Sequence, residues 1–310
     1  DCNENGVPDE CETNGEVIVF GENSHGELDI PADLGSCVDA AAGGDFVVAA
    51  TAAGEVVAWG RSDEGATTPP ANLPPVFEVA AGSGHGLAID SNGQVYAWGR
   101  NGDGQCDVPN DLGQCVAVAG GRFHSMALLA NGDVRCWGKD DENQSTVPTL
   151  GEPAIAIAAG DYHSMAVLQS GTVVAWGRNS EGQCDVPSGL TNVTSLSGGS
   201  FHSLAIRSDG SVVAWGENAD GQCDVPADLV ATSVGAGLTC SVALTTSGEF
   251  VAWGDISSGK GTPGVELDSP VLVETSGRHT VVLTEDNSVP NTDTDGDGIA
   301  DCIDPCPNWP

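Results

Sequence analysis

Basic side chains are scarce in this 310-residue sequence: nine lysines and arginines face 45 aspartates and glutamates, giving a formal charge of −36. A surface that negative repels phosphate backbones and anionic membranes, which argues against nucleic acid and lipid as partners and for cations or basic surfaces. No apolar run approaches the roughly 20 residues of a membrane span, so membrane insertion is not expected. Helical periodicity of useful length is missing too. No two cysteines stand in Cys-x-x-Cys spacing, which counts against zinc-ribbon chemistry. No serine occupies a Gly-x-Ser-x-Gly setting, and no carboxylate pair stands apart from the repeat background, so the sequence indicates no enzyme. The chain begins at Asp1 without a signal-like segment and reads as a mature product.

What is present is a period. An aromatic-glycine pair falls at Phe20-Gly21, Trp59-Gly60, Trp98-Gly99, Trp137-Gly138, Trp176-Gly177, Trp215-Gly216 and Trp253-Gly254, spaced by 39 residues five times and then by 38. Such a period means an array, a solenoid or a propeller. The best copies of the unit hold a glycine-containing turn, a run such as His-Ser-Met-Ala-Leu at 124–128, a second turn such as Asn131-Gly132, and a run such as Val173-Val174-Ala175-Trp176-Gly177. Short β-type runs joined by two-residue hairpin chemistry, with about four strands to the unit, predict one blade of a β-propeller. The array also has a broken end. The run beginning at Gly277 starts a hairpin whose Trp-Gly partner is missing, and residues 13–21 supply that partner. The expected fold is therefore all-β: a seven-bladed propeller over 13–288, closed by the N-terminal strand so that no sheet edge is left between first and last blade. Tails are expected at 1–12 and 289–310.

Both tails carry a calcium pattern. Asp1, Asn3, Asn5, Asp9 and Glu12 stand at local positions 1, 3, 5, 9 and 12 with Gly6 at the turn, and Val7 would offer its carbonyl. Asp293, Asp295, Asp297, Asp301 and Asp304 repeat that spacing, with Gly298 at local position 6 and Ile299 as the carbonyl donor. Alternating oxygen ligands with a glycine at the sharp turn suit an EF-hand-type calcium loop, and calcium is the expected cofactor. Eleven cysteines suggest an oxidising setting. Cys2, Cys11, Cys302 and Cys306 could pair within or between the tails, and Cys106 with Cys115, which flank one loop, is the best disulfide guess in the blades. The odd total leaves at least one thiol free or bonded to another molecule. His85, His124, His163, His202 and His279 share one register. Equivalent residues around a ring cannot converge on one ion, so they are expected to be structural, bonding backbone of a neighbouring blade. The tryptophans are expected to pack the sheets.

The Gly-x-x-His-Ser-x-Ala-Leu and Val-x-Ala-Trp-Gly-x-Asn runs resemble the regulator of chromosome condensation repeat family, in a short-bladed form similar to bacterial β-lactamase inhibitors. The resemblance covers about residues 13–288. It implies a broad binding face made by rim residues just before the histidine, here Phe46, Arg122, Phe123, Tyr162, Phe201 and Arg278, with Gly84 and Thr239 breaking the aromatic series. The tails resemble thrombospondin type 3 and dockerin-like calcium repeats, which implies a bacterial secreted protein, extracellular or at the cell surface. The favoured expectation is a non-catalytic, calcium-stabilised subunit of an extracellular filament or surface layer, self-associating through its termini, with Trp309 as a docking anchor. The alternatives are a binding or inhibitor module for another extracellular protein, acting through one propeller face, and, last, a propeller enzyme.

If calcium holds the tails, its binding free energy becomes their stability, about 2.7 kcal/mol per site when free calcium is roughly a hundred times the dissociation constant. Chelation is then expected to loosen residues 1–12 and 290–310 first and leave the blades folded. Hydrogen exchange with and without chelator measures this; equal protection of both tails in the two conditions contradicts it.

Overall fold

The computed structural model describes residues 15–285. The calcium-loop residues of both ends, Cys2, Cys11, Cys302, Cys306 and Trp309 lie outside them. The apolar runs become 21 strands in seven antiparallel sheets. Strand β1 is Val17–Gly21. Blade 1 is β2 (Cys37–Ala42), β3 (Phe46–Thr51) and β4 (Val56–Gly60); blade 2 is β5 (Val76–Ala81), β6 (His85–Asp90) and β7 (Val95–Gly99). Blade 3 follows with β8 (Cys115–Gly120), β9 (His124–Leu129) and β10 (Val134–Gly138), and blade 4 with β11 (Ala154–Ala159), β12 (His163–Leu168) and β13 (Val173–Gly177). Blade 5 is β14 (Val193–Gly198), β15 (His202–Arg207) and β16 (Val212–Gly216); blade 6 is β17 (Ala231–Ala236), β18 (Cys240–Thr245) and β19 (Phe250–Gly254). Blade 7 takes β20 (Pro270–Thr275) and β21 (His279–Thr284) from one end of the chain and β1 from the other, in the order β1-β21-β20.

Ring closure is as expected: Val17 pairs with Leu283, Val19 with Val281 and Gly21 with His279. Gly15 and Cys37 add a two-way backbone bridge to blade 1, at 2.9 and 2.8 Å. The apolar cores lie between blades. Leu87, Ile89 and Val95 of blade 2 meet Val118, Ala127 and Trp137 of blade 3 in one cluster. The middle strands are buried on both faces, β3, β6, β12 and β21 along their whole length. That explains why they read as continuous apolar runs rather than alternating ones. The first strand of each blade lines a central cavity of about 850 Å³.

Blades have three strands, not the four expected from the sequence. The loop after each Trp-Gly pair, where a fourth strand would lie, spends its backbone donors on its own side chains. Asn101 Oδ1 accepts from Cys106 N at 2.9 Å, its Nδ2 donates to Asp107, and Gln105 Oε1 accepts from Asp103 N at 2.9 Å. Loops 179–185 and 218–224 repeat the pattern. Such local side-chain bonds compete with a sheet ladder and win in a short polar segment.

The same loop corrects the disulfide expectation, because Cys106 and Cys115 are both free thiols. Cys106 Sγ folds back onto the Arg100 carbonyl at 3.1 Å, while Cys115 is buried at the start of β8 with Leu87, Ile89 and Leu112.

Strand β1 places Val17, Val19 and Phe20 in the cores on the two sides of the seam. At about 1.5–3 kcal/mol for each buried side chain, and with a newly exposed edge on β21, deleting residues 1–22 is expected to cost several kcal/mol or cause aggregation. Thermal denaturation and light scattering check it; a truncated chain as stable and soluble as the parent contradicts the closure.

Candidate binding face

Each middle strand begins at the histidine register and each outer strand ends at the glycine of Trp-Gly. The antiparallel ladder pairs the two, as in His124 with Gly138. The residue before the histidine therefore lies beside the residue after the glycine: Lys139 N donates to Phe123 O at 2.9 Å. Glycine is required at the corner. Gly138 has φ of 98°, and a Cβ there would sit 2.7 Å from the Phe123 carbonyl oxygen. The corner recurs in all seven blades, so one mouth of the propeller displays a ring of adjacent pairs.

The pairs are unevenly composed. Blades 2 to 4 place Arg100 beside Gly84, Lys139 beside Phe123 and Arg178 beside Tyr162. Blades 5 to 7 place acids there: Glu217 beside Phe201, Asp255 beside Thr239 and Glu22 beside Arg278. Across blades 3 to 5 the rings form a ribbon, with Phe123 and Tyr162 centroids 6.1 Å apart, and Tyr162 and Phe201 also 6.1 Å apart and nearly parallel at 15°. Arg100 lies 4.8 Å and Arg122 5.3 Å from the Phe123 centroid, and Lys139 5.3 Å. Arg178 bridges Tyr162 and Phe201 at 5.5 and 5.0 Å. These are cation–π distances.

Four of the chain's nine basic residues thus sit on three half-buried aromatics. Their acidic neighbours are Glu64, Asp161, Asp141 and Glu181, at 3.5, 3.4, 3.2 and 3.9 Å. Pairs this exposed are worth about 0–1 kcal/mol, so a partner's carboxylates can displace them at little cost.

Beneath the ribbon runs a buried relay. His124 Nε2 meets Ser164 Oγ of the next blade at 2.9 Å, and Ser164 donates to the Gln144 carbonyl. His85, His163 and His202 do the same to Ser125, Ser203 and Ser241. For these four the neighbour's group is a serine hydroxyl, not backbone as expected, while His279 Nδ1 meets Ser276 Oγ of its own blade at 3.2 Å. Each tryptophan indole meets the same loop carbonyl, as Trp137 and Gln105 do at 2.8 Å. Burial pushes His124 and His163 down to about 3 and His85, His202 and His279 to about 4, so the relay is uncharged at neutral pH. Blades 1 and 6 replace the histidine by Phe46 and Cys240.

In the channel wall three half-buried carboxylates shift the other way. Asp39 Oδ2 accepts from Val79 N and Glu78 Oε1 from Val118 N of the following blade, while Glu274 Oε2 accepts from Ala42 N. Desolvation lifts Asp39 to about 6; desolvation with the charge of Asp39 lifts Glu78 and Glu274 to about 7.

Of the expected rim residues, Arg122, Phe123, Tyr162 and Phe201 come together. Phe46 does not: it is 1% exposed, packed in the core at the histidine register. Arg278 is exposed on the same mouth but pairs with Asp45 and Glu22, at 3.4 and 3.9 Å, rather than with the aromatics. Arg100, Lys139 and Arg178 escaped the sequence reading. Their signal was the residue following Trp-Gly, basic in four consecutive copies beginning with Arg61 and acidic in the next two.

Residues 78–105, 115–144, 154–183 and 193–222 match the regulator of chromosome condensation (RCC1) repeat. They are blades 2 to 5 with their loops, the blades that build the ribbon. No curated protein matches the chain. Among solved structures it is similar to Prp20p from Saccharomyces cerevisiae, studied for its binding to Gsp1p and histones, at 19% identity and TM-score 0.74 over 91% of this chain and 95% of that one. It is similar to human WBSCR16 at 18% identity and TM-score 0.73, over 88% and 99%. The ectodomain of the Arabidopsis thaliana receptor kinase ACR4 matches at 25% identity and TM-score 0.63, over 81% and 90%.

The two sets of buried groups give opposite pH dependences. The histidines bind protons only when unfolded, so their contribution to stability is complete above about pH 6.5 and is lost as pH falls towards 4. The three carboxylates bind protons more readily when folded, so theirs is complete below about pH 4 and is lost as pH rises towards 7. Five histidines outweigh three carboxylates, and stability should rise between pH 4.5 and 6 by roughly 2–3 kcal/mol per unit. Glu274→Gln keeps the acceptor for Ala42 N and should gain on the order of 2 kcal/mol at pH 8. Urea denaturation across that range checks both; a flat profile, or a loss for the variant at pH 8, contradicts them.

Proposed function

We propose that this chain, four of whose blades match the regulator of chromosome condensation repeat, is a non-catalytic protein-interaction module that grips an acidic segment of a partner through the ribbon Phe123–Tyr162–Phe201 and its cations. The observation that carries this reading is the concentration of Arg100, Arg122, Lys139 and Arg178 on three aromatic rings in a chain of charge −36. Aromatic and arginine side chains are the types that dominate protein interfaces. Binding of other proteins by the similar propeller Prp20p supports the class of function. His85, His124, His163 and His202, uncharged and each bonded to a serine of the next blade, support a framework role rather than catalysis.

A second reading keeps the termini. Thr284 N donates to Glu16 O at 3.1 Å, so the chain on either side of the propeller departs from one pair of strands. That supports one calcium-stabilised module made by both tails, through which copies of a secreted chain would join in a filament or layer. The similarity to a receptor ectodomain is compatible with an extracellular setting.

The ribbon is tested by titrating a fluorescent glutamate-rich peptide against the parent, Arg178→Glu and Tyr162→Ala. Binding should weaken at least tenfold in each variant, about 1.4 kcal/mol, and should fall with added salt. The same affinity for Arg178→Glu as for the parent contradicts the assignment.

A further inference from the structure

Where the ring closes, three departures from the repeat converge. Glu27 occupies the loop position held by Gln105, Gln144, Gln183 and Gln222 elsewhere, and its carbonyl likewise accepts the next tryptophan, Trp59, at 2.8 Å. Two residues upstream, where those loops carry Asp103, Glu142, Glu181 and Asp220, stands His25. Where blades 3 to 5 display Phe123, Tyr162 and Phe201, blade 1 displays Asp45. One ligand atom from each of His25, Glu27 and Asp45 lies within 4.8 Å of the others. Glu27 is fully buried, while His25 and Asp45 open to solvent on one side, at 36% and 18% side-chain exposure.

The geometry points to a binding site for a single divalent transition cation of zinc type at His25, Glu27 and Asp45, clamping the ring-closing segment to blade 1. His25 Nδ1 and Glu27 Oε1 are 3.4 Å apart, the separation of two ligands that each stand about 2.0–2.1 Å from one tetrahedral ion. Glu27 is held for this by its second oxygen, which accepts His25 N at 2.8 Å. In the glutamine loops the corresponding amide nitrogens have no partner among the described residues; here the same place holds an anionic oxygen directed at an imidazole. Asp45 is oriented by Arg61 at 3.1 Å and Arg278 at 3.4 Å, one on each oxygen. A carboxylate has about four lone-pair positions, so both arginines can stay as outer partners while one oxygen ligates.

A further observation lies beside this site. His279 of blade 7 is fully buried and its Nδ1 meets Ser276 Oγ at 3.2 Å; its Nε2 has no hydrogen-bond partner among the described residues, and Glu27, Asp45 and the Phe46 backbone act on its charge. Elsewhere that nitrogen meets a serine of the next blade, but blade 1 has Val47 in the serine's place. The hydroxyl relay joins blades 2 to 6 only; the seam lies outside it, and a metal clamp would link the two blades that meet there. One nitrogen and two carboxylates select zinc or cobalt over calcium, which takes oxygen ligands alone. The fourth position faces solvent and would take water. Metal binding displaces any proton between His25 Nδ1 and Glu27, with no change of oxidation state.

Glu27→Gln installs the residue that four sister loops already carry, so the fold is kept while the anionic ligand is lost. The test is titration of the full chain with cobalt(II), in saturating calcium, followed by visible absorption, together with melting curves with and without zinc. The parent should take up one cobalt with a ligand-field band free of thiolate charge transfer, and zinc should raise its Tm. Glu27→Gln and His25→Ala should each bind at least about tenfold more weakly and lose the zinc-dependent rise. Absence of the band in the parent, or a band and a zinc response that survive both substitutions, overturns the site.

Discussion

Every blade in this molecule depends on contact with both neighbours. No three-stranded sheet encloses its own core; each apolar cluster is shared by two adjacent blades. A linear stack of such units would leave two unfilled faces, and pairing β1 with β21 removes both. The seam is made of ordinary contacts: Val17 and Val19 on one side, Phe20 edge-on to Phe250 at 5.3 Å on the other. Because closure joins strands that are more than 250 residues apart in sequence, it is the contact with the greatest loop-closure cost. It is also the one on which the rest rests.

Given the ring, the binding face follows from one corner. The Trp-Gly glycine, at positive φ and pressed against the preceding carbonyl, fixes the register between middle and outer strands. That register alone determines that Lys139 stands by Phe123 and Arg178 by Tyr162. The ribbon therefore needs no special loop. It needs only that consecutive copies of the repeat carry aromatic and basic residues at two aligned positions. The same two positions in blades 5 to 7 carry acids after the glycine, so one mouth has a cationic arc and an anionic arc on a common scaffold.

Much of this was legible in the sequence because the repeat has a period and periods are easy to read. The seven Trp-Gly or Phe-Gly pairs gave the blade count, and the unpaired run at Gly277 gave the closing strand. The failures have local causes. A fourth strand was expected where Asn101 and Gln105 instead satisfy the backbone with their own side chains, something strand propensity does not report. Phe46 is expected at the rim with Phe123, as a residue just before the histidine, although it lies one residue short of two full 39-residue periods from it. That single offset moves it from the rim to the core. The free thiols of Cys106 and Cys115 show that two cysteines flanking one loop need not face each other. The cluster at His25, Glu27 and Asp45 left no motif. It becomes visible only as three departures from aligned repeat positions, once the corner geometry shows that those positions meet.

The propeller behaves as one closed unit rather than as a row of repeats. Native-state hydrogen exchange of the middle strands β3, β6, β9, β12, β15, β18 and β21 tests it most directly. A closed ring predicts that their slowest amides share a single opening free energy, since no blade is terminal. A gradient, with β21 and β3 on either side of the seam opening first and blade 4 last, is the behaviour of an open array and would mean that the ring does not act as one unit.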